Sequence, residues 1–305
     1  MPFLNLRLAT CWLLLLLLGV GTGLAAKPRP KKDEPKSKLL VLGHAGSGFF
    51  TPINPFNPLP PSSLRGVLSA LDRGADGVEI DLQLSKDSVV MLYHDLKLES
   101  ITTGTGCVAQ HPAAYLTALR YSRGWPYDWF QHEKPVTLDT LLAHLNRRGH
   151  FPILHLDLHE EDPCASAADT YDHTPELVRQ LMRSLRRAHV PTDCLLLISN
   201  KPSVLRQVRK AWPALPVAFD VTTDDFATNL RKAQTEKVTT LVVSGDKTTP
   251  EEVAQAKAVG VGVMLFGGRS GKDIKRLLAC RPAGIQADNV KRLLALRRRG
   301  VAGTQ

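Results

Sequence analysis

Two histidines and three carboxylates at the ends of short apolar runs carry the chemistry legible in this sequence. His44 follows Leu39–Leu42 after one glycine, and Glu79 and Asp81 lie two apart within Gly77–Leu84. His94 and Asp95 close Val89–Tyr93, and His155, Asp157 and His159 alternate with leucines from Phe151 onward. Residues two apart on a strand share a face. Two carboxylates on an inward face cannot sit in a dry core, because an unpaired buried charge is very costly. A hard divalent cation, Mg²⁺ or Ca²⁺, takes oxygen ligands and resolves that conflict, with Asp157 as the third donor. An isolated acid pair could equally meet a lysine or arginine or lie at an exposed rim. The histidines at neighbouring strand ends favour the metal. Histidine gives and takes protons near neutrality. Beside a metal, His44 and His94 would suit phosphodiester hydrolysis, one activating the nucleophile and the other protonating the leaving alkoxide.

The elements that position these residues alternate regularly. Apolar runs at Leu39–Leu42, Gly77–Leu84, Val89–Tyr93, Phe151–Leu158, Cys194–Ser199, Pro216–Phe219, Thr239–Val243, Gly262–Phe266 and Gly284–Ala287 read as strands. Between and after them, helical spacing covers Ser62–Arg73, Leu138–Arg147, Pro175–Ala188, Ser203–Trp212, Asp224–Ala233, Thr249–Ala258, Gly271–Ala279 and Val290–Arg299. Strand–helix alternation predicts a parallel sheet. Its repetition over about 260 residues predicts an α/β fold closed as a (β/α)8 TIM barrel. The turn Gly43-His44-Ala45-Gly46-Ser47-Gly48 does not have the order of a dinucleotide fingerprint. In such a barrel the active site forms at the C-terminal ends of the strands. Residues from about 97 to 136 break the repeat and are rich in aromatics (Tyr115, Tyr121, Trp125, Tyr127, Trp129, Phe130). An insertion of that length after a strand end is read as a lid over the barrel mouth.

The N-terminus has a different character. Arg7 precedes an apolar run that ends in Leu13–Leu18, and small residues follow to Ala25 and Ala26. That order predicts a signal peptide cleaved near Ala26, and therefore an exported chain, periplasmic or secreted. Residues 27–38, rich in Lys and Pro, read as a tether, leaving 39–305 as a single domain. The formal net charge is +10, part of it in the tether and in Arg297-Arg298-Arg299. The excess suits phosphorylated substrates or peripheral contact with an anionic membrane surface. No basic stripe interleaved with aromatics points to nucleic acid. Beyond the signal lie Cys107, Cys164, Cys194 and Cys280, at spacings that match no zinc motif. Four cysteines allow three pairings. Cys107 and Cys164 both fall in loops after strand ends, which suggests that they pair. Cys194 and Cys280 are expected to be buried thiols.

The order Gly43-His44, then Gly74-Ala75-Asp76-Gly77-Val78-Glu79-Ile80-Asp81-Leu82-Gln83-Leu84-Ser85-Lys86-Asp87, then Tyr93-His94-Asp95, then Thr102-Thr103-Gly104-Thr105-Gly106 closely resembles the glycerophosphodiester phosphodiesterases. The likeness is strong over residues 39 to 106 and continues more faintly to the C-terminus, through Thr137-Leu138, Ser199, Gly284-Ile285 and Asp288. It implies a TIM barrel with an insertion after the His-Asp pair. It also implies divalent-cation-dependent hydrolysis of glycerophosphodiesters to glycerol 3-phosphate and an alcohol. His44 and His94 would be the catalytic pair, and Glu79, Asp81 and Asp157 the metal ligands.

The chain departs from the family pattern in three places. Ala45 stands where the family usually carries an arginine that contacts phosphate, and Lys201 and Arg269 are the expected substitutes. Asp157 replaces a glutamate, and His159 replaces a lysine, so His159 is a further candidate phosphate contact. The aromatic element common near the seventh strand gives way to Leu265-Phe266-Gly267-Gly268. The small-molecule partner is accordingly a glycerophosphodiester or a lysophospholipid-like substrate. Two other readings fit the same barrel: a phosphodiesterase acting on lipid or inositol phosphodiesters through a cyclic phosphate, and an inactive exported binding protein.

Overall fold

The computed structural model describes residues 39–52, 56–165, 172–221 and 225–299. The expected signal peptide and tether lie outside them. Among the described residues, eight strands run parallel: β1 (Leu40–Gly43), β2 (Gly77–Leu84), β5 (Ile153–Leu158), β6 (Leu195–Ser199), β7 (Val217–Val221), β8 (Thr240–Ser244), β9 (Gly262–Gly267) and β10 (Gly284–Ala287). β1 pairs with both β2 and β10, so the sheet closes on itself and no barrel edge remains. The expected (β/α)8 barrel is what forms.

Val89–Tyr93 is not a barrel stave. It shortens to β3 (Val90–Leu92), antiparallel to the outer half of β2, and a strand not foreseen, β4 (Val136–Thr137), pairs antiparallel with it. The reason is connectivity: β3 follows β2 after a tight turn of five residues, which permits only a hairpin.

The helices are α1 (Leu64–Asp72), α2 (Ala113–Ala118), α3 (Leu138–Asn146), α4 (Thr174–Arg187), α5 (Pro202–Ala211), α6 (Phe226–Thr235), α7 (Pro250–Ala258), α8 (Gly271–Ala279) and α9 (Val290–Arg298). Several start where the sequence provides a cap. The side chains of Ser63, Thr137, Asp225, Thr249, Ser270 and Asn289 each accept a backbone N–H of the first turn.

Alternation along the strands sorts the core into layers. Val78, Ile80, Leu82 and Leu84 of β2 and Leu154, Leu156 and Leu158 of β5 face outward into the large cluster under the helices. Inside the barrel, Leu42, Ile198, Ala218, Val242 and Met264 form a small dry plug. The insertion is no loose flap. Met91, Tyr93, Leu98, Ile101, Val108, Leu116, Leu119 and Tyr121 give it a buried core of its own. Cys107 and Cys164 are disulfide-bonded, with Cα atoms 5.9 Å apart, which ties the insertion to the loop after β5. Cys280 is buried, as expected for an inert thiol, whereas Cys194 is only half-buried because it lies in the turn before β6 rather than within the strand.

Candidate active site

Pairing register brings the acids together. Glu79 lies beside His155 and Asp81 beside Asp157 across the β2–β5 pair. The inward face of β2 therefore carries Glu79, Asp81 and Gln83, opposite to the face that packs under the helices.

Each carboxylate meets a different local environment. Glu79 is fully buried, and one oxygen accepts the Ala45 backbone N–H at 2.6 Å. Its other oxygen, Oε1, has no hydrogen-bond partner. Burial, then the charges of Asp81 and Asp157, push its carboxyl well above the usual range. Asp81 behaves oppositely. Burial disfavours its charge, but His159, His94 and Ser62 outweigh that and hold it well below the usual range. Ser62 Oγ donates to Asp81 Oδ2 at 2.6 Å and accepts the Asp81 N–H at 3.1 Å. Ser62 was expected to open a helix. Instead it precedes the N-cap in a left-handed conformation, φ 52°, as a loop residue that anchors the acid. Burial also raises Asp157 above its ordinary value.

His159 does not stand apart to await a phosphate. Its Nε2 lies 3.1 Å from Asp81 and 3.8 Å from Asp157. Burial alone would lower its pKa, and the hydrogen bonds and charges of those two aspartates lift it well above the ordinary imidazole value. One donor atom each from Asp81, Asp157 and His159 fall within 4.8 Å of one another, the spacing of a metal site. An orphaned buried carboxylate oxygen beside two further acids is the signature expected of a cation site. The carboxylates of Glu79, Asp81 and Asp157 are the hard oxygen donors a divalent cation takes, and the atoms gathered closely enough to share one are those of Asp81, Asp157 and His159.

The two histidines flank this cluster, and each is held by an aspartate. His44 Nδ1 lies 2.7 Å from Asp288 Oδ1, and His94 Nδ1 lies 2.7 Å from Asp95 Oδ1. A carboxylate on Nδ1 fixes the ring and leaves Nε2 for the reaction. At His94, burial lowers the pKa, and the Asp95 hydrogen bond and Asp81 charge overcome it, so the group stands above its ordinary value. The ring of Phe49 packs edge-on against both histidines, at 5.1 Å from His44 and 4.8 Å from His94. Phe266 closes on His44 at 5.3 Å, so an aromatic ring is present near that strand end after all.

The cationic candidates are already engaged. Lys201 Nζ lies 3.8 Å from Glu160, and Arg269 Nε donates to Asp288 at 3.2 Å. Ala45 is fully buried in the left-handed turn after β1, with φ 43°, in a place that cannot hold a long side chain without displacing its neighbours. The same turn excludes a Cβ at Gly43, which would come within 1.8 Å of the Gly46 carbonyl.

A cleft of about 630 Å³ opens beside the acids, lined among others by His94, Asp157, His159, Glu160 and Asp220. Asp220, on β7, was missed from sequence. Burial, reinforced by Asp157, pushes its carboxyl up to about 7. A charged residue inside an apolar strand was the available signal, the same one that revealed Glu79 and Asp81. Glu160 was also missed. It is buried, accepts the Ser199 hydroxyl at 2.7 Å, and is raised by burial. His155 shares the inward face but stays outside the site. It meets Gln286 of β10 at 2.9 Å across the barrel.

Comparison with known proteins agrees with this architecture. A sequence profile described as the glycerophosphoryl diester phosphodiesterase family matches residues 57–292. The glycerophosphodiester phosphodiesterase of Bacillus subtilis is 23% identical over 261 residues, 81% of this chain and 83% of that protein. A Mycobacterium tuberculosis protein named "Probable glycerophosphodiester phosphodiesterase 1" is 37% identical over 70 residues, 23% of this chain, and the match spans only 25% of that relative's length. Among solved structures, an Oleispira antarctica phosphodiesterase in complex with the product sn-glycerol-3-phosphate superposes with a TM-score of 0.70 at 22% identity, covering 84% of this chain and 95% of the other. A glycerophosphodiester phosphodiesterase from Parabacteroides distasonis gives 0.68 at 17% identity, covering 87% and 99%. These structural likenesses establish the shared fold, and the profile match over most of the chain establishes the lineage: this chain belongs to the glycerophosphoryl diester phosphodiesterase family.

Proposed function

We propose that the chain hydrolyses glycerophosphodiesters to glycerol 3-phosphate and an alcohol, with the help of a divalent cation, Mg²⁺ or Ca²⁺. The observation that carries this reading is the orphaned Glu79 Oε1, buried beside Asp81 and Asp157 and flanked by two carboxylate-held histidines. Glu79, Asp81 and Asp157 are the residues to hold the ion, which when bound neutralises phosphate oxygens. His44 and His94 do the proton work. One takes the proton of the attacking oxygen, and the other gives a proton to the alcohol oxygen as the P–O bond breaks. Asp288 and Asp95 orient them. Arg269 after β9 and Lys201 after β6 are the cations proposed to meet the phosphate, each turning from the acid it now faces. His159 instead balances the charge of the acids.

An aromatic rim at the mouth favours a second reading, in which the substrate is a lipid or inositol phosphodiester opened through a cyclic phosphate. Export with cleavage near Ala26 belongs to the same proposal. It is supported by the N-terminal pattern and by the Cys107–Cys164 disulfide, since such bonds persist in oxidising compartments. The positive net charge supports peripheral contact with an anionic membrane.

The test is glycerol 3-phosphate release by residues 27–305 from glycerophosphocholine and glycerophosphoethanolamine, with EDTA, Mg²⁺ or Ca²⁺. Release that depends on metal and is lost in a Glu79→Gln, Asp81→Asn variant supports the hydrolase. No release from folded, metal-bound protein would turn attention to lipid and inositol phosphodiesters.

A further inference from the structure

The rim of the barrel mouth exposes large aromatic side chains that the fold makes no use of. Trp125 is 76% exposed, Trp129 74%, Phe130 54% and Phe56 40%. Scattered exposed apolar residues are ordinary, but a contiguous group marks an interaction surface. This group is contiguous. Trp125, Trp129 and Phe130 belong to one short segment of the insertion that winds through a single 3₁₀ turn. Phe130 meets Phe56 at 5.1 Å, Phe56 stacks on Tyr127 at 6.1 Å, and Tyr127 meets Phe50 at 5.0 Å. Phe50 directly follows Phe49, whose ring touches both His44 and His94. The exposed patch and the proposed catalytic centre are therefore two ends of one aromatic row.

The charges beside the patch have one dominant sign. Arg120 and Arg123 are exposed just before it, and exposed Arg65 reaches the Phe130 carbonyl at 3.4 Å. Between residues 113 and 133 the acids are Asp128 and Glu133, and half-buried Glu133 accepts the Arg65 backbone N–H at 3.2 Å. The Asp128 oxygens take the Ser122 hydroxyl and the backbone N–H groups of Arg123 and Gly124, so Asp128 is bound into its own loop.

We propose that the segment Trp125–Phe130, with Phe56 and the flanking arginines, docks the barrel mouth onto the surface of an anionic lipid bilayer. Tryptophan suits that interface, where one part of the ring is apolar and the indole N–H remains wet. Basic residues beside it meet the anionic headgroups. This deepens the proposed hydrolase, because a mouth seated on the bilayer takes phosphodiesters presented at that surface. The docking itself does not depend on catalysis.

The test uses residues 27–305 with vesicles of phosphatidylcholine alone or with about one third phosphatidylglycerol. Vesicle sedimentation and tryptophan emission are measured for the parent chain, for Trp125→Ser/Trp129→Ser, and for Arg120→Gln/Arg123→Gln. Circular dichroism confirms that each variant is folded. The parent should sediment with the anionic vesicles, with a blue shift in emission. Affinity should fall at least about tenfold in the Trp variant and should become less salt-dependent in the Arg variant. Hydrolysis of soluble glycerophosphocholine should be unchanged in both. No association of the parent with anionic vesicles, or equal association of the Trp variant, would overturn the proposal. So would sedimentation velocity showing a dimer that the Trp variant loses, because the rim would then be an interface between copies. Binding without any hydrolysis would overturn the catalytic reading and leave the docking intact.

Discussion

His155 and Asp157 are two residues apart on the same face of β5, yet they have opposite fates. His155 faces the barrel interior one layer down, where Gln286 reaches across from β10 to meet it. Burial pulls its pKa to about 3, so the ring is neutral and its polar need is met. Asp157 sits nearer the mouth beside Asp81, where the charges of Glu79 and Asp220 also reach, and the acids there outnumber their counter-charges. The difference teaches that an inward polar residue does not by itself make a site. A site forms where the fold leaves polar groups that only a ligand can complete.

That contrast can be broken at either layer. The largest effect should come from the acids. Glu79→Gln with Asp81→Asn should reduce hydrolysis at least about 10³-fold. Without added metal, the same variant should melt no lower than the parent, because buried like charges have been removed. Differential scanning calorimetry beside the activity assay checks both; a much lower melting temperature would mean that the acids are structural.

His44→Ala and His94→Ala should each cost about 10²–10⁴-fold in kcat. Asp288→Asn should cost less, about 10–100-fold, because it frees the His44 ring without deleting it. A steady-state comparison of the three variants decides whether Asp288 acts through His44.

At the lower layer the expectation reverses. His155→Leu leaves Gln286 without its partner and should destabilise the fold by about 1–3 kcal/mol in urea titrations, while kcat stays near parental. A large loss of kcat with little change in stability would erase the distinction between the layers. Removing the Cys107–Cys164 bond, by Ser at both positions, should cost about 2–4 kcal/mol, since the bond spans 57 residues.

Much of this was legible in the residues. Strand alternation gave the barrel, and carboxylates set among leucines on β2 and β5 gave the acidic cluster, because a charge inside an apolar period needs a reason to be there. The same signal was present at Asp220 within Val217–Val221, where it stood alone and lacked a second charge to draw attention. The roles expected of Lys201, Arg269 and His159 were less legible. Each lies at a strand end, as barrel logic requires, but which acid it faces depends on loops whose paths short-range pattern does not encode. Glu160, Asp288 and Asp81 are the partners that the tertiary structure supplies.

The sequence by itself determined the periodicities, the order of strands and helices, and the chemical types available at each strand end, because these depend on neighbours along the chain. Closure of β1 onto both β2 and β10, the hairpin of β3, the packed insertion and the pairing of each histidine with its aspartate were decided only in three dimensions. The His44–Asp288 contact joins residues 244 apart, and no local propensity reaches across such a distance. It exists because closing the barrel brings the first strand beside the last.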